Sequence, residues 1–218
     1  MHDHGPHDGD DPHAQQADHD ARPASPYEVL ERALRELLQE QGVITADEVS
    51  AAIDIMDTRT PALGADVVAR AWTDPNFKTL LLRDTRAALA DFGIDIGHVA
   101  EFQTIENTDD THNVVVCTLC SCYPKMLLGL PPAWYKSLAY RSRVVRDPRG
   151  VLAEFGLTIP DGRAVRVHDS TADLRYLILP QQPDGTGDWT AEALAKTVTR
   201  DCMIGTAVPS VALAEAAA

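Results

Sequence analysis

Three of the four cysteines stand within six residues, Cys117-Thr118-Leu119-Cys120-Ser121-Cys122, after the apolar pair Val115-Val116 and just before Pro124. Thiols at this density read as a metal site. A CxxC pair suits tetrahedral zinc, but structural zinc sites take a second pair at a distance, and Cys202 stands alone. A redox CxxC uses two cysteines at a helix start and leaves Cys122 without a role. An iron–sulfur cluster needs a fourth thiolate at short spacing, which is missing. The C-x-x-C-x-C spacing allows another arrangement, because it leaves the backbone nitrogens of Ser121 and Cys122 inside the loop that the sulfurs close. A metal held by Cys117, Cys120 and Cys122 can then also meet those two amides. With both amides ionised, the set offers three sulfur and two nitrogen donors. Such a field favours a trivalent low-spin ion with its sixth position open. Softness and geometry point to cobalt or iron rather than zinc.

The run Cys117-Thr118-Leu119-Cys120-Ser121-Cys122-Tyr123-Pro124 resembles the metal loop of the nitrile hydratase α subunit, a family that includes the γ subunit of thiocyanate hydrolase. The resemblance continues through Leu128-Gly129-Leu130-Pro131-Pro132-Ala133-Trp134-Tyr135-Lys136-Ser137 and Tyr140-Arg141-Ser142-Arg143-Val144-Val145-Arg146, and returns in Arg175–Pro180 and Asp201–Gly205. It covers roughly Ser25 to Pro209. It implies an N-terminal helical arm followed by a layered α-β-β-α globular domain of the nitrile hydratase α-subunit type. It implies that Cys120 is oxidised to sulfinate and Cys122 to sulfenate while Cys117 stays a thiolate, with one Co(III) per chain and Fe(III) as the alternative. Thr118 and Tyr123 follow the family's cobalt pattern. The implied partners are a β subunit, which supplies two arginines to the oxygenated sulfurs, a metal-insertion activator protein and a small nitrile.

A trivalent ion with an open position is a Lewis acid. It makes a nitrile carbon electrophilic, so that an oxygen nucleophile adds to give an imidate that tautomerises to the amide. The Cys122 sulfenate oxygen serves as nucleophile or base, Cys120 shares the site, and Ser121 offers a donor beside the oxygenated sulfurs. One departure stands out: the family pattern has tryptophan and proline where this chain has Lys125 and Met126. Replacing an indole by an ammonium changes shape and charge near the pocket and leaves an anionic substrate such as thiocyanate open. Three readings follow: the catalytic subunit of a nitrile hydratase, the γ subunit of thiocyanate hydrolase, or a non-enzymatic metal-binding protein with unmodified thiolates.

The rest of the chain must position this loop. Its 218 residues suffice for a real core, and 24% charged with 44% apolar residues is ordinary for a globular protein. A formal net charge of −14 argues against nucleic acid and anionic membrane as partners. With no signal-peptide h-region and no apolar run long enough to span a bilayer, the expected location is the cytoplasm, where clustered cysteines stay reduced and bind metal.

Residues 1–24 carry five of the eight histidines among six aspartates. They are expected to form a disordered tail, or one that loosely binds divalent metal. Residues 25–60 are expected to be a helical arm. Ser25-Pro26-Tyr27-Glu28 and Thr45-Ala46-Asp47-Glu48 are capping boxes, with Tyr27, Leu30, Leu34, Leu37 and Leu38 on one face and Gly42 closing the first helix. The catalytic domain is expected over 61–209. Helices are predicted at Ala65–Trp72, Pro75–Phe92, Pro132–Arg141, Pro148–Phe155 and Glu192–Thr199, and strands at Glu101–Glu106, Asn113–Cys117, Ala164–His168 and Leu174–Leu179. Strands set between helices make an α/β class, and 210–218 read as a frayed tail. Trp134, Tyr135 and Tyr140 are expected to pack behind the loop, Cys202 to be a small buried group, and His112 to be structural. Arg141, Arg143 and Arg146 are read as an interface or a solvated face. Counting puts His98 at the family's glutamine position, with Gln103 nearby, and neither is given a role.

Overall fold

The computed structural model describes residues 25–97 and 101–216, so the expected tail at 1–24 and His98 lie outside the described residues. The chain begins with helices α1 (Pro26–Glu40) and α2 (Ala46–Asp57), each opened by the expected capping box. No residue of either is buried, and Tyr27, Leu30, Leu34 and Leu37 all face outward. Next come α3 (Pro61–Thr73), α4 (Pro75–Arg83) and α5 (Thr85–Asp91). Strand β1 (Glu101–Glu106) and strand β2 (Thr111–Val116) follow. Four short helices lead on from the cysteine loop: α6 (Lys125–Leu128), α7 (Ala133–Lys136), α8 (Leu138–Arg143) and α9 (Pro148–Glu154). Strands β3 (Ala164–Asp169) and β4 (Leu174–Leu179) precede α10 (Ala191–Ala195), α11 (Arg200–Ile204) and α12 (Val211–Ala216).

The strands form two parallel pairs, β1 with β4 and β2 with β3. A parallel pair needs a long crossover, and α6–α9 supply it between β2 and β3. Helices α4 and α5 pack on β1, β4 touches β2, and α9 packs on β3, which gives the expected helix–sheet–sheet–helix layering. Strand β2 is the innermost. Five of its six residues are buried, as expected for a strand covered on both faces.

Several predicted helices are interrupted, two of them at a residue whose side chain caps the next helix. The single helix expected over Pro75–Phe92 breaks at Asp84, whose carboxylate accepts the Ala87 N–H at 3.0 Å. The break lets Thr85 bond both to Leu81 O (2.9 Å) and to Thr104 of β1 (2.9 Å). The helix expected over Pro132–Arg141 breaks at Ser137, which caps α8 by accepting the Tyr140 N–H. The helix expected over Glu192–Thr199 stops at Ala195, because the β-branched run Thr197-Val198-Thr199 loses rotamer freedom in a helix. Helices α6 and α11 were not anticipated. Helix α12 lies where a frayed end was expected, with Ala214 buried.

A buried polar network ties β2 to the end of α11. The His112 ring is fully buried, and its Nε2–H donates to Gly205 O at 2.7 Å, leaving Nδ1 to accept from Asn107 Nδ2 at 3.4 Å. Asn107 Oδ1 in turn accepts the backbone N–H of Asn113 at 2.7 Å. Burial lowers the pKa of His112, which keeps the ring neutral in this role. Gly205 adopts φ +91° at the C-terminus of α11, and a Cβ there would sit 2.0 Å from Asn113 O. Gly205→Ala is therefore expected to cost about 2–4 kcal/mol through strain and displacement of β2. Urea denaturation of the variant checks this, and an unchanged midpoint would contradict it.

Candidate metal centre

The cysteine loop begins where β2 ends, at the carboxyl end of a parallel strand, the usual location of ligand sites in α/β folds. Cys117 is fully buried at the strand's end. The next residue turns the chain: Thr118 donates its N–H to Asp169 Oδ1 at 2.9 Å and its hydroxyl to Asp169 Oδ2 at 2.6 Å. Asp169 is the last residue of β3 and pairs with Val116 in the ladder, so strand register delivers it to the loop. Two tyrosine hydroxyls hold the backbone from behind. Tyr140 donates to Val115 O at 2.7 Å and Tyr135 to Cys122 O at 2.8 Å. Trp134, Tyr135 and Tyr140 are all buried, with Trp134 edge-on to Tyr140 and Phe155 and Tyr135 edge-on to Tyr123, as expected for packing behind the loop.

The loop brings its sulfurs together. The Sγ atoms of Cys117 and Cys120 are 3.3 Å apart and those of Cys120 and Cys122 are 3.1 Å apart, and all three lie within 4.8 Å of one another. With metal–sulfur bonds of roughly 2.3 Å, sulfurs at right angles stand about 3.3 Å apart and sulfurs at tetrahedral angles about 3.8 Å. The two short separations fit right-angle donors better than a tetrahedral site. The donor set therefore fits a six-coordinate ion of the kind considered above. Cys202, by contrast, lies buried on α11 with its Sγ 3.3 Å from Thr199 Oγ1.

Electrostatics separates the thiols. Hydrogen bonds from Cys122 and then Cys117 bring the Cys120 pKa down to about 7, and the backbone N–H groups of Cys122 and Ser121 favour the same thiolate. Cys122 is pushed up to about 12, first by burial and then by its contact with Cys120, while Arg175 pulls the other way. Burial likewise raises Tyr135, so its hydroxyl remains a donor.

Cys120, Ser121 and Cys122 form one wall of an open cleft of about 410 Å3. Arg175, from the start of β4, lines it too. Gln103 does not; it is exposed on β1 and lines a different cleft with Arg83 and Glu101. Of the three arginines after the loop, Arg141 reaches Leu119 O at 3.5 Å, and Arg143 pairs with Glu154 at 2.9 Å. Arg146 is exposed. Asp169 and Arg175 were not anticipated as neighbours of the loop. Asp169 lies 51 residues beyond Thr118 and Arg175 further still, and only the pairing of β2 with β3, and of β4 with β1, brings them there.

The family described as nitrile hydratase, alpha chain, matches residues 25–207. The chain is 49% identical over 191 residues to the low-molecular weight cobalt-containing nitrile hydratase subunit alpha of Rhodococcus rhodochrous, covering 86% of this chain and 92% of the relative. It is 42% identical over 196 residues to the thiocyanate hydrolase subunit gamma of Thiobacillus thioparus, covering 85% and 81%. Among solved structures, an Fe-type nitrile hydratase double mutant from Comamonas testosteroni superposes with a TM-score of 0.79 at 41% identity, covering 87% of this chain and 94% of that one. The cysteine loop, the two parallel strand pairs and this likeness along nearly the whole described chain agree, and the chain belongs to the nitrile hydratase alpha-chain family.

Proposed function

We propose that this chain is the metal-binding catalytic subunit of a nitrile hydratase, adding water across a nitrile to give the corresponding amide. The observation that carries the reading is the convergence of three thiols, two pairs at right-angle spacing, on an open cleft. Cys117, Cys120 and Cys122 hold the ion through sulfur, and Ser121 and Cys122 through ionised amide nitrogens. The ion is Co(III): Thr118 and Tyr123 follow the cobalt pattern, and the Rhodococcus relative is described as cobalt-containing. Iron is the alternative, in keeping with the Fe-type neighbour. The bound ion supplies Lewis acidity.

The residues do the rest. Cys120 is present as sulfinate and Cys122 as sulfenate, two rungs of the thiol oxidation ladder. The Cys122 oxygen, facing the cleft, acts as nucleophile or base towards the nitrile carbon. One O–H unit of water is added to the carbon and the other proton to the nitrogen, and a proton shift from oxygen to nitrogen completes the amide. Ser121, beside the sulfurs, and Arg175, on the cleft wall, offset the charge of the oxygenated cysteines.

A β subunit completes the site, and an activator protein inserts the metal. This draws on the exposed apolar groups at the loop and beyond it, where Leu119 is 88%, Leu130 65% and Leu138 72% exposed, and on the uncovered faces of α1 and α2. A second reading, hydrolysis of thiocyanate, is favoured by Lys125 in the cleft wall and by the relative from Thiobacillus thioparus.

Co-expression with the partner subunit and an activator in cobalt medium tests the assignment. Mass spectrometry of the loop peptide is expected to find two added oxygens on Cys120, one on Cys122 and none on Cys117. The complex is expected to hydrate an aliphatic nitrile at least a hundredfold faster than this chain alone. Bare thiols in an active complex, or full activity without the partner, would overturn the account. In the metal-free chain, Cys120 is expected to be alkylated first by iodoacetamide. Its rate should rise through the Cys120 pKa of about 7 and level off roughly one pH unit above it as the thiolate fills, while Cys122 stays a thiol and lags throughout. Asp169→Ala removes both acceptors of Thr118. It is expected to weaken cobalt retention about 10–100-fold against a competing chelator, with the circular dichroism of the fold retained.

A further inference from the structure

The cleft beside the sulfurs has a charge that the rest of the molecule does not share. The chain carries a formal net charge of −14, yet the residues lining this cleft include Lys125, Lys136 and Arg175 and no aspartate or glutamate. Lys125 opens α6 just past Pro124, Lys136 ends α7, and Arg175 is the second residue of β4, so three separate elements each deliver one cation. Arg175 is tethered, donating from Nη1 to the backbone oxygens of Thr171 and Leu174. Among the described residues neither lysine is in an ion pair with an acid, although the chain has 33 acidic residues to offer. Cations gathered on a concave wall raise the local concentration of small anions, and because both lysines are exposed the effect is strongest at low salt.

The remaining wall is apolar, formed by Phe102, Met126, Leu130 and Pro131. A substrate that suits both halves has a hydrocarbon stretch for these side chains and a negative group for the lysines. Thiocyanate has the charge and no hydrocarbon, and it would leave most of the volume empty. A simple aliphatic nitrile has the hydrocarbon and no charge. Resting on the nitrile reading above, we propose that this cleft selects nitriles carrying a carboxylate on a short aliphatic chain, with Lys125 as the principal determinant and Lys136 in support, Arg175 being engaged by the cysteines. The reaction is the same hydration; the carboxylate takes no part in bond making and serves only recognition.

The test compares terminal cyanopropanoate with butyronitrile, which differ in a carboxylate for a methyl group, on the mature cobalt-loaded complex with its partner subunit. The ratio of kcat/KM, anion over neutral, is expected to exceed about tenfold at low salt and to fall as ionic strength rises, because exposed charges are screened. Lys125→Met is expected to cut that ratio at least tenfold and Lys125→Glu further, with cobalt content and circular dichroism as controls on folding. Lys136→Met is expected to lower it by a smaller factor. Binding of succinamate, the anionic product, followed by calorimetry, should weaken in parallel in the Lys125 variants, a readout that needs no turnover. A wild-type ratio near or below one overturns the proposal. So does an equal loss for both substrates in Lys125→Met, which would mean that the lysine balances the charge of the cysteines. Turnover of thiocyanate with no hydration of either nitrile would instead fail the nitrile reading itself, and is told apart by that pattern.

Discussion

The site depends on the parallel register of β2 against β3. Because Val116 faces Asp169 at the end of that ladder, the carboxylate arrives where the chain leaves the strand, and it takes both the amide and the hydroxyl of Thr118. That pair of hydrogen bonds turns the loop and sets the direction in which Cys120 and Cys122 return towards Cys117. A slip of one residue would present every β2 side chain to the opposite face. Buried Val114 and Val116 would then exchange places with Val115, and the carboxylate would be lost from Thr118. The buried polar network behind β2 resists such a slip, since His112 and Asn113 find their partners only in the observed register.

Around this ladder the supports come from different parts of the chain. Tyr135 and Tyr140 lie downstream on short helices, yet their hydroxyls reach back to Cys122 and Val115. The break at Ser137 divides those helices, and a single continuous helix would not carry both tyrosines in this way. Helix α3 closes the other side. Gly64 on it approaches Leu128 and Met203 so closely that an added Cβ would stand 2.5 Å from Leu128 Cδ2. The elements after the loop are thus pressed against the elements before it, which leaves the cysteine segment little freedom to relax.

What the sequence made legible was local. The three cysteines, the two capping boxes of the arm and the aromatic cluster all declare themselves within short windows, because their chemistry is fixed by spacing along the chain. Strand positions were also readable, down to Leu174–Leu179, since β-branched and apolar runs have few alternatives. The helix breaks at Asp84 and Ser137 were missed because the apolar pattern runs on through both, although each side chain caps the following turn by a bond only three residues away. Asp169 and Arg175 were beyond reach for a different reason. Their relation to the loop is set by strand pairing across more than fifty residues, and one sequence holds no record of which strand lies beside which.

The uncovered helices α1 and α2 carry a thermodynamic consequence. Helices of 15 and 12 residues are marginal on their own in water, and here no residue of either is buried. Whatever free energy holds them must come from a surface that meets the leucines of α1 and the isoleucines of α2. Order in this segment is then governed by mass action: it rises with the concentration of that surface and melts on dilution, while the strand-bearing core keeps a stability of its own.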